Sequence, residues 1–342
     1  MTSDALTAIG RDPVARARIV AALTDYEQRP ENRFTTVRDE VTGPIVDALH
    51  AGVPLVRKEL ANGLRFELLY RSKIARDFVL SVPERPDHVW EPQTTRLLLH
   101  LAARATDVIV GGAYFGDHAI PLADALRPRG ACHAFEVDPE QAAMLQRNAD
   151  LNGLDNVRVH PLGLWSDTTA RLQLVGSDAM AGTVAAAEGI AATTIDAYAA
   201  AAGIDHVGLI MLDLEGGELP VLRGAERVLR QDQPHVVFEI HRAYVDWTGG
   251  LAATAVAQFL RSFGYTLFAL RDFQSNVDMR GKAIELVPIE TAYLDGPPHG
   301  FNVLAVRDAS IVEGAPFRIV PHVSPKLLWH RDPALHHPLE GL

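Results

Sequence analysis

Four ionisable residues stand where buried strands end. In LIMLDLEGGELPVLRGAERVL (209–229), Asp213 and Glu215 follow an apolar run, and a helix opens after Gly216 and Gly217. In PHVVFEIH (234–241), Glu239 and His241 close a second apolar run. Side chains alternate along a strand, so each pair is expected to share one face. In an open α/β sheet the carboxyl ends of the strands form the ligand edge, which brings all four groups together. Such a set could accept a proton from a reacting hydroxyl. Asp213, Glu239 and His241 could instead hold a divalent cation such as magnesium, which favours oxygen ligands. Glu218 has a structural explanation, because acids are favoured in the first turn of a helix. A lone His such as His241 can also be a hydrogen-bonded packing residue.

A second signal lies upstream. One strand ends in Gly111-Gly112-Ala113-Tyr114-Phe115-Gly116, and the next ends in Phe135-Glu136-Val137-Asp138. Glycines there let the backbone turn sharply and approach a ligand. Glu136 comes 24 positions after Gly112, near the ~20 expected of an acid that accepts from ribose hydroxyls. The G-x-G-x-x-G spacing of dinucleotide enzymes is absent, as is the phosphate loop G-x-x-x-x-G-K-[ST]. A nucleoside without a pyrophosphate fits best, which points to S-adenosylmethionine; the rival explanation is a tight turn beside a solvated acid.

These residues need a sheet to hold them. From Asp107 the sequence repeats strand, turn and helix: DVIVGGAYFGDHAIPLADAL, ACHAFEVDPEQAAMLQRNADLNG, VGLIMLDLEGGE with LPVLRGAERVLRQ, and PHVVFEIH with GLAATAVAQFLRSFG. YTLFALR, KAIELVPI and FNVLAVRD follow as strands. Continuous apolar strands alternating with helices predict a mostly parallel sheet covered on both faces. The small-residue stretch GSDAMAGTVAAAEGIAAT is expected to be a loop or flap. LANGLRFELLY reads as a hairpin around Asn62-Gly63. The expected division is a mainly helical accessory or cap region over 1–95, the main domain over 96–308, and an irregular tail over 309–342.

Composition narrows the partners. The 342 residues carry a net charge of −11, which argues against nucleic acid bound through a basic surface. No apolar run is long enough to span a bilayer, and the opening MTSDALTAIGRDPVARARIV lacks a signal-peptide core. The one cysteine, Cys132, excludes an internal disulfide framework and reads as a small buried hydrophobe. Together these features predict a cytoplasmic protein with a small-molecule partner, and leave a homo-oligomer open.

The pieces GGAYFG, HAFEVDP, LQRNADLNGLDNVRVHPLGLWSD, TTIDAYAAAAGIDHVGLIMLDLEGGELPVLRGAERVL and PHVVFEIH, read in order, resemble the FkbM family of S-adenosylmethionine-dependent methyltransferases. The resemblance covers residues 107–240. It implies a class I methyltransferase fold, Rossmann-like, with a seven-stranded mostly parallel sheet whose last strand, FNVLAVRD, is antiparallel. It implies methyl transfer, usually to a hydroxyl of a sugar or natural-product scaffold. By resemblance Gly112, Ala113, Tyr114 and Gly116 line the methionine moiety, Glu136 holds the ribose and Val137 packs on the adenine. Ser166 and Asp167 could contact adenine or form an ordinary turn. Asp213 would face the methyl group. The family commonly has Asp where Val110 stands, so Asp117 or His118 could supply that hydrogen bond. The family also often has Lys where Met211 stands. Glu91 and Gln93 could reach the amino-acid end of the cofactor, although Glu91-Pro92 is equally a helix start. The polar run 271–276 could touch substrate or be a solvated loop. His322, His330, His336 and His337 lack metal-site spacing. The rival functions are N- or carboxylate methylation on the same fold, and a non-catalytic adenosyl-binding module.

Overall fold

The computed structural model describes residues 3–53, 55–176, 182–293, 300–340 and 342. The amino-terminal part is built from α1 (Ser3–Gly10), α2 (Pro13–Glu27), α3 (Thr35–Val37), a π-turn over Arg38–Thr42 and α4 (Gly43–His50). The hairpin β1 (Leu55–Glu59) and β2 (Arg65–Leu69) follows, with the left-handed Gly63 in its turn. Next come α5 (Lys73–Val79) and α6 (Pro92–Ala102). This region shares its core with the rest of the molecule. Leu60, Phe66, Leu68, Phe78 and Val89 are buried in one cluster with Val108, Val110 and Leu145. The boundary expected between 95 and 96 falls inside α6, a helix that starts at Pro92 because proline needs no N–H partner in a first turn.

The main sheet begins with β3 (Asp107–Gly111), α7 (Ala119–Leu126), β4 (Ala131–Phe135), α8 (Pro139–Leu151) and β5 (Val157–His160). The chain then makes an excursion through β6 (Gly163–Leu164), β7 (Arg171–Val175), β8 (Gly182–Ala186) and β9 (Ile190–Thr193). These four form a small sheet in the order β6-β9-β7-β8. The expected flap is therefore partly strand, except for 177–181, which lie outside the described residues. Small side chains gave the sequence no period to reveal it.

After α9 (Ile195–Ala202), capped by the Thr194 side chain, come β10 (Val207–Leu212), α10 (Glu218–Arg223), α11 (Glu226–Gln231) and β11 (His235–Ile240). The helix expected over 219–231 is broken at Gly224, where a Cβ would lie 2.3 Å from the Trp165 carbonyl oxygen. The domain closes with α12 (Ala255–Ser262), β12 (Thr266–Leu270), β13 (Ile284–Pro288), β14 (Phe301–Val306) and β15 (Phe317–Ile319).

The main sheet has the order β15-β13-β12-β14-β11-β10-β3-β4-β5. β3, β4, β5, β10 and β11 are parallel, and β14 runs antiparallel between β11 and β12. Seven of these strands have the order and the single reversed strand of a class I methyltransferase. Two more correct the expected count to nine: β13 pairs antiparallel with β12, and β15 pairs parallel with β13. β15 comes from the expected irregular tail. The tail also buries Leu327 and Leu339 against Phe273 and Met279. Among the described residues no helix is long and apolar enough to cross a membrane.

Candidate active site

The glycine turn after β3 is fixed by backbone geometry. Gly112 has φ +74°, and a Cβ there would lie 1.7 Å from the Asp213 carbonyl oxygen. The two strand ends approach this closely because Gly112 N and Ala113 N both donate to Phe135 O at 3.0 Å, while Asp213 N donates to Gly111 O. Tyr114 is left-handed, at φ +47°, and its N–H donates to Glu136 Oε2 at 2.7 Å. Asp138 N donates to Glu136 Oε1 at 2.8 Å. Glu136 is thus aimed by two backbone donors, and each oxygen retains a lone pair for a further donor. Burial pushes its carboxyl up to about 7.

A narrow groove runs from this turn along the ends of β3, β4 and β10. It is lined by Gly112, Glu136, Val137, Leu162, Asp213 and Leu214, and roofed by Gly182 and Thr183 of β8. Leu162, Gly182 and Thr183 carried no sequence signal, since apolar and small residues look alike in a wall and in a core. Gly116, at φ +97°, closes the turn against Ile120 and Leu145. The Tyr114 hydroxyl reaches Ser72 Oγ at 3.4 Å, so this ring joins the amino-terminal region to the groove.

Three expected binding residues are placed elsewhere. Ser166 and Asp167 are exposed, and Asp167 Oδ1 accepts from Thr169 N and Oγ1 at 2.9 and 2.7 Å. They form the ordinary turn, and neither lines the groove, whereas Leu162 does. Gln93 is fully buried, and both ends of its amide are used on the β13 side: Nε2 donates to Ala283 O and Oε1 accepts from Glu285 N. The run 271–276 is mostly buried rather than a solvated loop, and Gln274 Nε2 donates to the carbonyl oxygen of Gly300, the residue over Glu239. Arg271 pairs with Glu285 at 2.7 Å, and Asp272 caps α6 by accepting from the N–H groups of Gln93 and Thr94.

The carboxylates do converge. One oxygen each from Asp213, Glu215 and Glu239 lies within 4.8 Å of the others. Glu215 sits beyond β10 in a left-handed turn at φ +50°, so a turn rather than strand alternation aims it. Burial, then Glu91, Glu215, Glu218 and Asp117, hold the Asp213 carboxyl well above its usual range. Burial followed by Asp213 and Glu215 does the same for Glu239. Gly300 passes directly over Glu239, since a Cβ at 300 would lie 1.9 Å from Glu239 Oε1. These three oxygens are the set that could hold a cation. His241 is not in it: its Nδ1 accepts from Ala243 N at 2.9 Å, and burial lowers its pKa.

A second layer surrounds the acids. Glu91 stands just before α6 in a left-handed conformation at φ +46°, its side chain free of any capping bond to the helix. Its Oε2 accepts from Asn302 Nδ2 at 2.6 Å and lies 3.5 Å from His118 Nε2. Despite desolvation, Asp117 and Glu91 raise His118 to about 9, so it stands as a cation among the acids. Asp117 itself is buried and pushed up, and lies on the same side. Asn302 is opposite Glu239 in the β11–β14 register. Glu218 clasps the turn after β10: Oε1 accepts from Leu214 N at 2.9 Å and Oε2 from Gly216 N at 3.1 Å. Its role here is to hold the turn that aims Glu215.

Burial raises Glu218 to about 7, above its ordinary 4.5. The folded state therefore holds a proton there that the unfolded chain has lost between those values, and stability falls as pH rises through that window. In Glu218→Gln that part of the pH slope is absent. Denaturant titrations at pH 5 and pH 7 check this: wild type should lose stability relative to the variant on going to pH 7, and parallel behaviour would refute it.

The sheet order, the reversed strand and the glycine turn facing Glu136 are those of the Rossmann-like class I methyltransferase fold. Residues 111–267 match the model of the methyltransferase FkbM domain. Among solved structures it is similar to a methyltransferase FkbM from Methylobacillus flagellatus, at 15% identity and a TM-score of 0.36, over 59% of this chain and 43% of that one. It is also similar to an O-methyltransferase from Bacillus cereus in complex with S-adenosylhomocysteine (15%, TM-score 0.37, 63% and 80%), and to a putative O-methyltransferase from Klebsiella pneumoniae (18%, TM-score 0.35, 64% and 80%). The chain spans less than half the length of the first of these. No curated protein matches it.

Proposed function

We propose that this enzyme O-methylates a hydroxyl of a small-molecule acceptor, such as a sugar or natural-product scaffold, in the cytoplasm. The observation that carries this reading is the meeting of Asp213, Glu215 and Glu239 within 4.8 Å. Carboxylates this close cannot all ionise, so at least one keeps a raised pKa. Such a group is matched to accept a hydroxyl proton near neutral pH.

The residues present fit S-adenosylmethionine. Gly112 offers a backbone surface that any Cβ would fill, and Glu136 presents spare acceptor lone pairs at ribose distance from the turn. The cofactor supplies an electrophilic methyl group on a positively charged sulfur. Asp213 lines the groove and would meet that charge, while Asp117, His118 and Glu91 would set the polarity around the amino-acid end. Asp213 or Glu239 takes the acceptor proton, and Glu218 keeps the intervening turn in shape. The roof of Gly182 and Thr183 leaves a cavity of about 30 Å³, so seating an adenosyl group requires β8 to draw back.

The reading is tested by presenting hydroxyl, amine and carboxylic acid acceptors together with S-adenosylmethionine and finding the methylated product by mass spectrometry. Methyl on oxygen of a hydroxyl is expected; methyl only on nitrogen or carboxylate would favour the rival chemistry, and cofactor binding without turnover a non-catalytic module. The same three oxygens support a second reading, in which a divalent cation such as magnesium holds the acceptor. Activity abolished by EDTA and restored by magnesium would select it.

A further inference from the structure

A cavity of about 680 Å³ opens beyond the end of β11. That size suits a small molecule. Its walls come from the segment 242–251 and from Ala292 and Tyr293. Three aromatic side chains line it: Tyr244, Trp247 and Tyr293. Tyr244 and Tyr293 are 44% and 50% exposed, two of the few large apolar side chains left open to solvent among the described residues. Trp247 is braced by Phe301 at 5.7 Å between ring centroids, and Phe301 is the neighbour of Asn302.

The cavity communicates with the acids through one wall. The Tyr244 hydroxyl hydrogen-bonds the Glu215 carboxylate, and the Tyr244 Cβ packs so closely over Gly216 that a Cβ there would lie at 2.9 Å. Glu215 thus stands between this cavity and the groove that Asp213 lines.

Charge sets the chemistry at the other end. Asp246 also lines the cavity; its Oδ1 accepts from Thr248 N and Oγ1 at 2.9 and 2.6 Å, which keeps it ionised, so an anion must seat on Arg242 and away from Asp246. Arg242 lines the cavity and, among the described residues, makes no ion pair, although the chain holds 43 acids against 32 Lys and Arg. An open guanidinium facing a cavity is suited to a carboxylate or phosphate held through paired hydrogen bonds.

We propose that this cavity is the acceptor seat and that it takes a ring-bearing acceptor with an anionic substituent. The ring lies against Tyr244, Trp247 and Tyr293, the anion meets Arg242, and the hydroxyl points to the Glu215 wall. An anion anywhere nearer Glu215 would be repelled, so Arg242 also fixes which end of the acceptor enters. This inference rests on the O-methyltransferase reading above.

The test uses p-nitrophenyl β-D-glucuronide and p-nitrophenyl β-D-glucoside, which differ in having a carboxylate or a hydroxymethyl group. Each is titrated calorimetrically into wild type, Arg242→Gln and Trp247→Ala protein, with and without S-adenosylhomocysteine. The expected result is glucuronide binding about ten-fold tighter than glucoside in wild type, as one charge-assisted contact supplies. Arg242→Gln removes the preference, and Trp247→Ala weakens both probes. S-adenosylhomocysteine binding unchanged in both variants shows that they are folded. Equal binding of the two probes, a preference surviving in Arg242→Gln, or binding of neither probe by protein that takes S-adenosylhomocysteine overturns the seat and leaves the cofactor site standing. Glucuronide binding by wild type that fails to take S-adenosylhomocysteine would instead sink the cofactor assignment.

Discussion

Gly112→Ala protein is expected to lose S-adenosylhomocysteine binding altogether and to unfold well below wild type. The first cause is conformational: Gly112 has φ +74°, a region in which a side chain costs roughly 1–3 kcal/mol. The second is steric and larger. The added Cβ would sit 1.7 Å from the Asp213 carbonyl oxygen, and backbone cannot rotate away as a side chain can. Relief requires β3 and β10 to part at the point where Gly111 O accepts from Asp213 N at 3.0 Å. That moves the glycine turn, Glu136 and Asp213 relative to one another. Calorimetric titration with S-adenosylhomocysteine and a thermal melt check it; near-normal affinity would show that the turn is not where the cofactor lies.

Asp213→Asn is expected to lower kcat by roughly 10²–10⁴-fold, the usual scale for loss of a general base, while S-adenosylhomocysteine still binds. The amide keeps the shape of the side chain and removes the proton acceptor. It also removes one charge from a crowded set, so Glu239 should ionise more readily and recover part of the loss. The double variant with Glu239→Gln should therefore fall further than Asp213→Asn alone, and the two effects should not be additive because the groups are in contact. Single-turnover rates with an accepted substrate measure this. Retention of most activity in Asp213→Asn would favour transfer to nitrogen or a carboxylate, which needs less help from a base.

What was legible in the sequence followed the local rules. Strand, turn and helix recur with clear apolar runs, so the sheet, the glycine turn, the position of Glu136 and the meeting of Asp213 with Glu239 could be read in order along the chain. Contacts between distant residues were the hardest to foresee. Gln93 is used by Glu285 across 192 positions, and Glu91 by Asn302 across 211. Arg271 and Asp272 looked solvated because polar residues usually are; Glu285, Ser324 and the start of α6 satisfy them in the interior. Asp167 had suitable chemistry for adenine but a nearer partner in Thr169. His241 shares a two-residue spacing with Glu239, yet β11 ends at Ile240, and past a strand end alternation no longer directs a side chain. Tyr244 had no motif at all and is recognised only by its contact with Glu215.

Met211 marks a departure from the family pattern that the structure explains in part. It is 1% exposed in the core beneath the site, in register with Val110 of β3 and Val237 of β11. The two family departures, Val110 and Met211, are thus neighbours. An apolar pair occupies these neighbouring positions.

A structure with S-adenosylhomocysteine bound tests the central claim most directly. The account predicts ribose hydroxyls on Glu136, the homocysteine portion against Gly112 and Ala113, and the sulfur facing Asp213, with β8 drawn back from the groove. Density for the cofactor away from Gly112 and Glu136, or a sulfur turned from Asp213, would contradict it.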